Sequence, residues 1–174
     1  MTITMSCEEY NRMQEFAKQF VAKKGGPRPI LEYIRLTITG DTAKAEALDG
    51  YKGGYIMLNL NDSDGDGTIL LPITGKLKKS DVYAIITDLD QEIEIRTATS
   101  ASIYKKPEME FPDISHIYPQ DEPAEVFGFN PNLLADALKA FKNEKVVKIE
   151  YRDALKPLVI KSKRAQALVM PMRL

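Results

Sequence analysis

The sequence predicts an α+β fold of antiparallel sheets, and three observations lead there. Short, alternating apolar runs bounded by turn residues fill most of the chain. Only two segments carry helical periodicity. Each of these sits within the same order, strand–helix–strand–strand–strand, at the two ends of the 174 residues, with a β-rich segment between.

"MTITM" (1–5) alternates and is β-branched, the pattern of a first strand. Ser6 stands three residues before Glu9 as in a capping box, and Tyr10, Met13, Phe16, Ala17, Phe20 and Val21 come next at helical spacing. "KKGGPRP" closes this helix, predicted over about residues 6–24. "ILEYIRLTI", "TAKAEAL" and "GYIMLNL" are the next strands, the first two joined by the tight turn "TGDT" and the last two by "LDGYKGG". "GTILLPI", "DVYAIIT", "EIEIRTA" and "ASIYKK" complete the β-rich middle. "TGKLKKSD" is too poor in apolar residues for a core-facing helix, and "KPEMEFPDISHIYPQDEP" reads as an extended connector.

"EVFGF" opens the second end as a strand. Asn130 caps a helix with Pro131 in its first position. Leu134, Leu138 and Phe141 form its expected buried stripe, with Leu133 and Ala137 beside it. "VVKIEYR", "KPLVIKS" and "AQALVMPMRL" supply three more strands. The division expected is 1–119 and 120–174, packed together as one compact domain.

"NDSDGDGTILLP" (61–72) opens like a calcium loop, with Asp62, Asp64 and Asp66 alternating before Gly67. Its flanks are strands, not helices, and Ile73 stands where a bidentate glutamate is needed. Asp-Gly pairs also build hairpins, so the loop is expected to be a hairpin turn, with Asp62, Asp64 and Asp66 as weak metal candidates for a calcium-dependent adaptor.

Lys and Arg number 24 against 25 Asp and Glu, so no overall basic excess points to nucleic acid, although a basic face is compatible with balanced totals. A single cysteine, Cys7, fits a reducing cytoplasm, and its place in a first helical turn favours the thiolate. No run approaches the ~18 apolar residues of a membrane span, and "MTITMSCEEY" is not a signal peptide. The expectation is a soluble, cytoplasmic protein without a membrane partner. His116 is the only histidine and lies in the connector with no metal-sharing neighbour in sequence, so a surface or packing role is expected for it. No phosphate loop or nucleophile elbow is present, so neither a cofactor nor an enzymatic activity is expected.

"FGFNPNLLADALKAFKNEKVVKIEYRDALKPLVIKSKRAQALVMPMRL" resembles the carboxy-terminal end of the bacterial DNA polymerase III β subunit, the sliding clamp. Gly128, Phe129 and Asn130 match the approach to that family's last helix, Asp136, Leu138, Ala140 and Lys142 match along it, and "VMPMRL" (Val169 to Leu174) matches its terminal strand. More loosely, "RPILEYIRLTITGDTAKAEALDG" is similar to part of the clamp's middle domain, with Ala47, Asp49 and Gly50 kept from its Ala-Thr-Asp-Gly-His-Arg-Leu motif. "MEFPDISHIYP" is similar to the connector leaving that domain. The resemblance implies an abridged clamp: a middle-domain-like region over 1–119 and a carboxy-terminal half-unit over 120–174, without the second helix of the middle domain.

The same resemblance implies a peptide pocket for polymerases and repair proteins, lined by Gly50, Tyr51 and Lys52 on one side and by Val169, Met170, Pro171, Met172, Arg173 and Leu174 on the other. Deformable methionines suit several partners, and Arg173 can hold a carboxylate or a carbonyl. Tyr51 and Gly53 depart from the family's histidine and leucine, which implies a changed peptide preference or, at the extreme, loss of the pocket. The other reading of these residues is a core strand, "ALVM", with a tail, "PMRL". Clamp helices face duplex DNA, which implies phosphate contacts from Lys18, Lys23, Lys24, Arg28, Lys139 and Lys142. Lysines late in a helix also suit its dipole. Encircling DNA requires several copies and hence a homo-oligomer. The reading from another class is a small interaction protein that competes for clamp-binding peptides and never encircles DNA.

Overall fold

The computed structural model describes residues 1–78 and 80–173, with His116 described by its backbone alone. The chain divides into two compact units, Met1–Asp113 and Ile114–Leu174. The surface or packing role expected of the His116 side chain lies outside the described residues, as does Leu174.

Unit 1 holds β1 (Thr2–Ser6), α1 (Cys7–Ala17), β2 (Tyr33–Thr39), β3 (Thr42–Leu48), β4 (Gly53–Asn59), β5 (Asp62–Ser63), β6 (Gly67–Pro72), β7 (Tyr83–Asp88), β8 (Glu92–Arg96) and β9 (Ala101–Lys105). They form two antiparallel sheets, ordered β4-β3-β2-β6 and β5-β1-β7-β8-β9. The period-two pattern decides which face is buried. Ile34, Leu36 and Ile38 of β2, Ala43, Ala45 and Ala47 of β3, and Ile69 and Leu71 of β6 join one core with Ile3, Met5, Ala84, Ile86, Ile93 and Ile95 of the other sheet. Tyr10, Met13 and Ala17 complete it from α1. Small residues let α1 approach β3 and β4. A Cβ on Gly54 would stand 3.0 Å from the Phe16 ring and 3.1 Å from that of Phe20. Glycine there admits the Phe16–Phe20 pair, whose centroids are 4.9 Å apart.

The capping box is half made. Ser6 Oγ accepts the Glu9 N–H at 3.1 Å, but the Glu9 carboxylate accepts from the Asn59 N–H instead, at 3.2 Å. The helix is also shorter than its pattern predicts, ending at Ala17 and not near residue 24. Beyond it the chain tightens into turns, with Phe20 N–H bonded to Ala17, and Ala22 N–H then turns to the Leu31 carbonyl. Phe20 and Val21 keep their apolar role against the core from outside the helix. Residues 29–32 form a single 3-10 turn where the sequence predicts the start of a strand.

The acidic loop is not a hairpin. β4 and β6 lie in one sheet but are not neighbours, and β5 between them pairs with β1 in the other sheet. The loop is a crossover, and its Asp-Gly turns redirect the chain between sheets.

Unit 2 holds α2 (Pro131–Lys139), β10 (Lys148–Glu150), β11 (Leu158–Lys161) and β12 (Gln166–Val169), the strands ordered β10-β11-β12. Asn130 Oδ1 caps α2 by accepting from Asn132 N–H at 2.9 Å. Two expectations are corrected here. α2 buries none of its residues: Leu133 is 56% exposed and Leu138 38%, while only Phe141, beyond the helix end, is buried. The three short strands offer Leu158, Ile160 and Val169 as buried partners, a strip too narrow for a whole helix face. "EVFGF" is not a strand; one bridge, Gly128 to Met172, remains of it. Its alternating aromatics instead form a ring cluster, Phe127 stacked on Tyr151 at 4.1 Å and edge-on to Phe129 at 5.4 Å.

Candidate functional site

The carboxy-terminal residues line a cleft of about 410 Å³ in unit 2, with Val126, Phe127, Gly128, Ala154 and Leu155 opposite Met170, Pro171, Met172 and Arg173. Two features hold it open. Met172 N–H donates to the Gly128 carbonyl at 2.8 Å, fixing the terminal segment beside 126–128. Val169 is buried at the end of β12 and anchors the residues after it, leaving Met170 and Met172 more than half exposed. On the other wall, Asp153 Oδ1 accepts from Leu155 N–H at 3.0 Å, and its carboxylate pairs with Lys156 at 2.7 Å. Lys156, then the Leu155 N–H, hold the Asp153 carboxyl below its ordinary range. That turn presents Leu155 at 80% exposure. Glu125 accepts the Ala154 N–H at 3.1 Å. Desolvation of the Tyr151 hydroxyl, then the nearby Glu125 carboxylate, push Tyr151 up to about 12, so it stays neutral. The cleft is apolar and methionine-rich, with one guanidinium at its rim.

Gly50, Tyr51 and Lys52 lie in unit 1, in the turn between β3 and β4. Asp49 Oδ1 accepts from the Tyr51 and Lys52 N–H groups at 2.9 and 3.0 Å, and these bonds lower its pKa. Gly50 takes φ +93°, which suits glycine. Tyr51 is fully exposed at the tip. Lys52 Nζ donates to the Gln19 carbonyl and lies 6.0 Å from the Phe20 ring centroid, so its charge is tied to the end of α1.

Lys18, Lys23, Lys24 and Arg28 are all exposed in unit 1, at and after the C-cap of α1. In unit 2, Lys139 pairs with Asp136 at 2.8 Å, and Lys142 is exposed beyond the helix. Asp62, Asp64 and Asp66 are exposed, and the Asp66 carboxylate accepts the Gly40 N–H at 2.8 Å. Among the described residues, no group of three or more His, Cys, Asp or Glu is placed to hold a metal. Cys7 is buried, and desolvation, then Asp81, push its thiol up, the reverse of the activation expected from a first helical turn.

Five lining residues of the cleft were not among the site candidates from the sequence: Val126, Phe127, Gly128, Ala154 and Leu155. The available signal was Leu155, a large apolar residue inside the turn "RDALKP".

The fold matches that of the DNA sliding clamps. Among solved structures, the chain aligns with the DNA polymerase III β chain of Streptococcus pneumoniae at a TM-score of 0.78 and 17% identity, covering 99% of this chain and 50% of that one. The sliding clamp of Bacillus subtilis aligns at 0.76 and 13% identity, covering 98% and 49%. The Helicobacter pylori β clamp bound to a DNA ligase peptide aligns at 0.64 and 20% identity, covering 92% and 47%. The chain therefore spans about half the length of these clamps, and at such identities the fold is what is shared. No family model and no curated protein sequence matches it. Among the described residues, no helix is long and apolar enough to cross a membrane.

Proposed function

We propose that this chain is a non-catalytic, clamp-like module of DNA replication or repair that takes a short peptide of a polymerase or repair protein into the cleft of unit 2. The observation that carries the reading is the set of exposed methionines, Met170 and Met172, facing Phe127 and Leu155 with Arg173 at the rim. Such a surface buries an apolar side chain and offers a donor to the peptide's carboxylate or carbonyls. A Helicobacter pylori clamp of the same fold holds a DNA ligase peptide, so a labelled peptide of that class is the first probe. Met172→Glu is expected to weaken its binding by roughly tenfold or more in fluorescence anisotropy, because it puts a desolvated charge at the cleft wall. Equal affinity for both proteins would exclude the cleft. Tyr51→Ala, assayed alongside, tests the unit 1 turn.

A second element of the reading concerns DNA, and the exposed Lys18, Lys23, Lys24 and Arg28 favour it. We infer that these cations meet backbone phosphates, in a ring of several copies. Replacing all four by glutamate is expected to abolish retention on closed circular duplex, and replacing one to reduce the salt dependence by about one unit of slope. Peptide binding without any DNA retention would instead select the competitor that never encircles DNA.

A further inference from the structure

We propose that the open face of the unit 2 sheet is a docking surface for an acidic peptide segment that carries an apolar residue beside its carboxylates. Leu158, Ile160 and Val169 are buried on one face of β10-β11-β12, so strand alternation turns Lys148, Glu150, Val159, Lys161, Gln166 and Leu168 to the other. The register sorts these into two rows across the strands. Lys148, Lys161 and Gln166 make one, and Glu150, Val159 and Leu168 the next. Lys148 and Lys161 are therefore directly opposite, a like-charge pair that costs the sheet stability. The β11–β12 turn adds Lys163 and Arg164, both exposed. Ser162 fixes that turn: its N–H donates to the Ala165 carbonyl at 2.9 Å, and its Oγ accepts the Arg164 N–H at 3.3 Å.

Charge and the neighbouring row together identify the occupant. Glu150 is the carboxylate of this face, and it is already engaged, accepting from Lys161 at 2.9 Å and from Arg152 at 2.8 Å. Lys148, Lys163 and Arg164 form no ion pair among the described residues, so the face is left with cations that call for carboxylates or phosphates. The second row decides between these. Leu168 is 58% exposed and lies opposite Val159, an apolar strip that a phosphodiester backbone has nothing to cover. Among the described residues of these two rows there is also no aromatic ring on which a base could stack. An acidic peptide supplies both needs, an apolar side chain over Leu168 and Val159 and carboxylates for Lys148, Lys163 and Arg164. None of these residues lines the cleft, so mutation separates the two sites.

The test is fluorescence anisotropy of the full chain with three labelled probes: a glutamate-rich peptide bearing leucines, the same peptide with serine for leucine, and a DNA duplex. The leucine peptide is expected to bind more tightly than the serine one, with an affinity that falls as salt rises. The variant carrying Lys148→Glu, Lys163→Glu and Arg164→Glu should weaken it about tenfold or more, while Met172→Glu in the cleft leaves it unchanged. Lys148→Glu alone should weaken binding yet hold or raise the thermal midpoint, because Lys161 then faces an opposite charge. A structural role for Lys148 would lower the midpoint instead. Equal affinity of the charge-reversed variant and the wild type, no preference for leucine over serine, or loss of binding through Met172→Glu would each overturn the proposal. Duplex held by these cations while neither peptide binds would also overturn it and assign the face to nucleic acid.

Discussion

Glu46→Ala is expected to lower the unfolding free energy by about 3 kcal/mol, read as a reduced denaturant midpoint at constant m-value. Glu46 is on the outward side of β3, yet its side chain is 1% exposed. Arg35 covers it from β2, with Nε 2.9 Å and Nη2 2.7 Å from Oε2, and Lys44 Nζ lies 2.7 Å from Oε1. Aromatic rings hold both cations: Arg35 is 5.3 Å from the Phe111 centroid and Lys44 4.7 Å from that of Tyr55. Removing the carboxylate leaves two close cations with no anion between them. Both remain partly open to water, at 18% and 32%, which holds the cost near the lower end of the range for broken buried pairs. The double variant Arg35→Met with Glu46→Leu separates pairing from packing. It removes the carboxylate and one of its two cations, leaving only the more exposed Lys44, so it should be less destabilised than Glu46→Ala alone. A double variant as unstable as the single would show that shape, not charge, decides the site.

Glu46 also shows where sequence reading stops. "TAKAEAL" alternates cleanly, and the alternation correctly places Ala43, Ala45 and Ala47 inside. Nothing local in that run says that Arg35 of β2, itself beside the Phe111 ring, closes over Glu46 on the other face. The strands of unit 1 were legible for the same reason that the sheet is stable: one face of each is buried, and period two marks it. The end of α1 was not, since Phe20 and Val21 keep helical spacing while the Ala22–Leu31 hydrogen bond, a long-range event, draws the chain away. In unit 2 the apolar stripe of α2 was read from its period, but a period records capacity for burial and not the presence of a partner. Of the cleft, Met170 to Arg173 came from resemblance to the clamp terminus. Phe127 escaped because an aromatic alternation that packs ring on ring looks the same as one that pairs as a strand.

Gln14→Leu is expected to cost about 2–3 kcal/mol and to release one segment before the rest of unit 1. The described residues between β6 and β7 lie in no helix or strand, so their backbone groups need partners from elsewhere. α1 supplies them. Gln14, 2% exposed, accepts from Thr74 N–H at 2.9 Å and from Gly75 N–H at 3.3 Å, and donates to the Pro72 carbonyl at 3.3 Å. One turn earlier, Asn11 takes both sides of Leu77, accepting its N–H at 2.7 Å and donating to its carbonyl at 3.2 Å. Tyr10 meets Thr74 hydroxyl to hydroxyl at 2.6 Å, and burial pushes its phenol up to about 12, keeping the proton in place. Leucine preserves the volume of Gln14 but leaves the half-buried Thr74 N–H and Pro72 carbonyl without their side-chain partner and turns the Gly75 N–H to water. Hydrogen exchange should then accelerate at Thr74 and Gly75 while Ile34 and Leu36 in β2 keep their protection. Equal acceleration in both places would mean that the segment and the sheet open as one unit. Selective release would show that side-chain amides of α1 supply hydrogen bonds that the described residues of this segment do not make among themselves, so that α1 ties the segment to the core of unit 1.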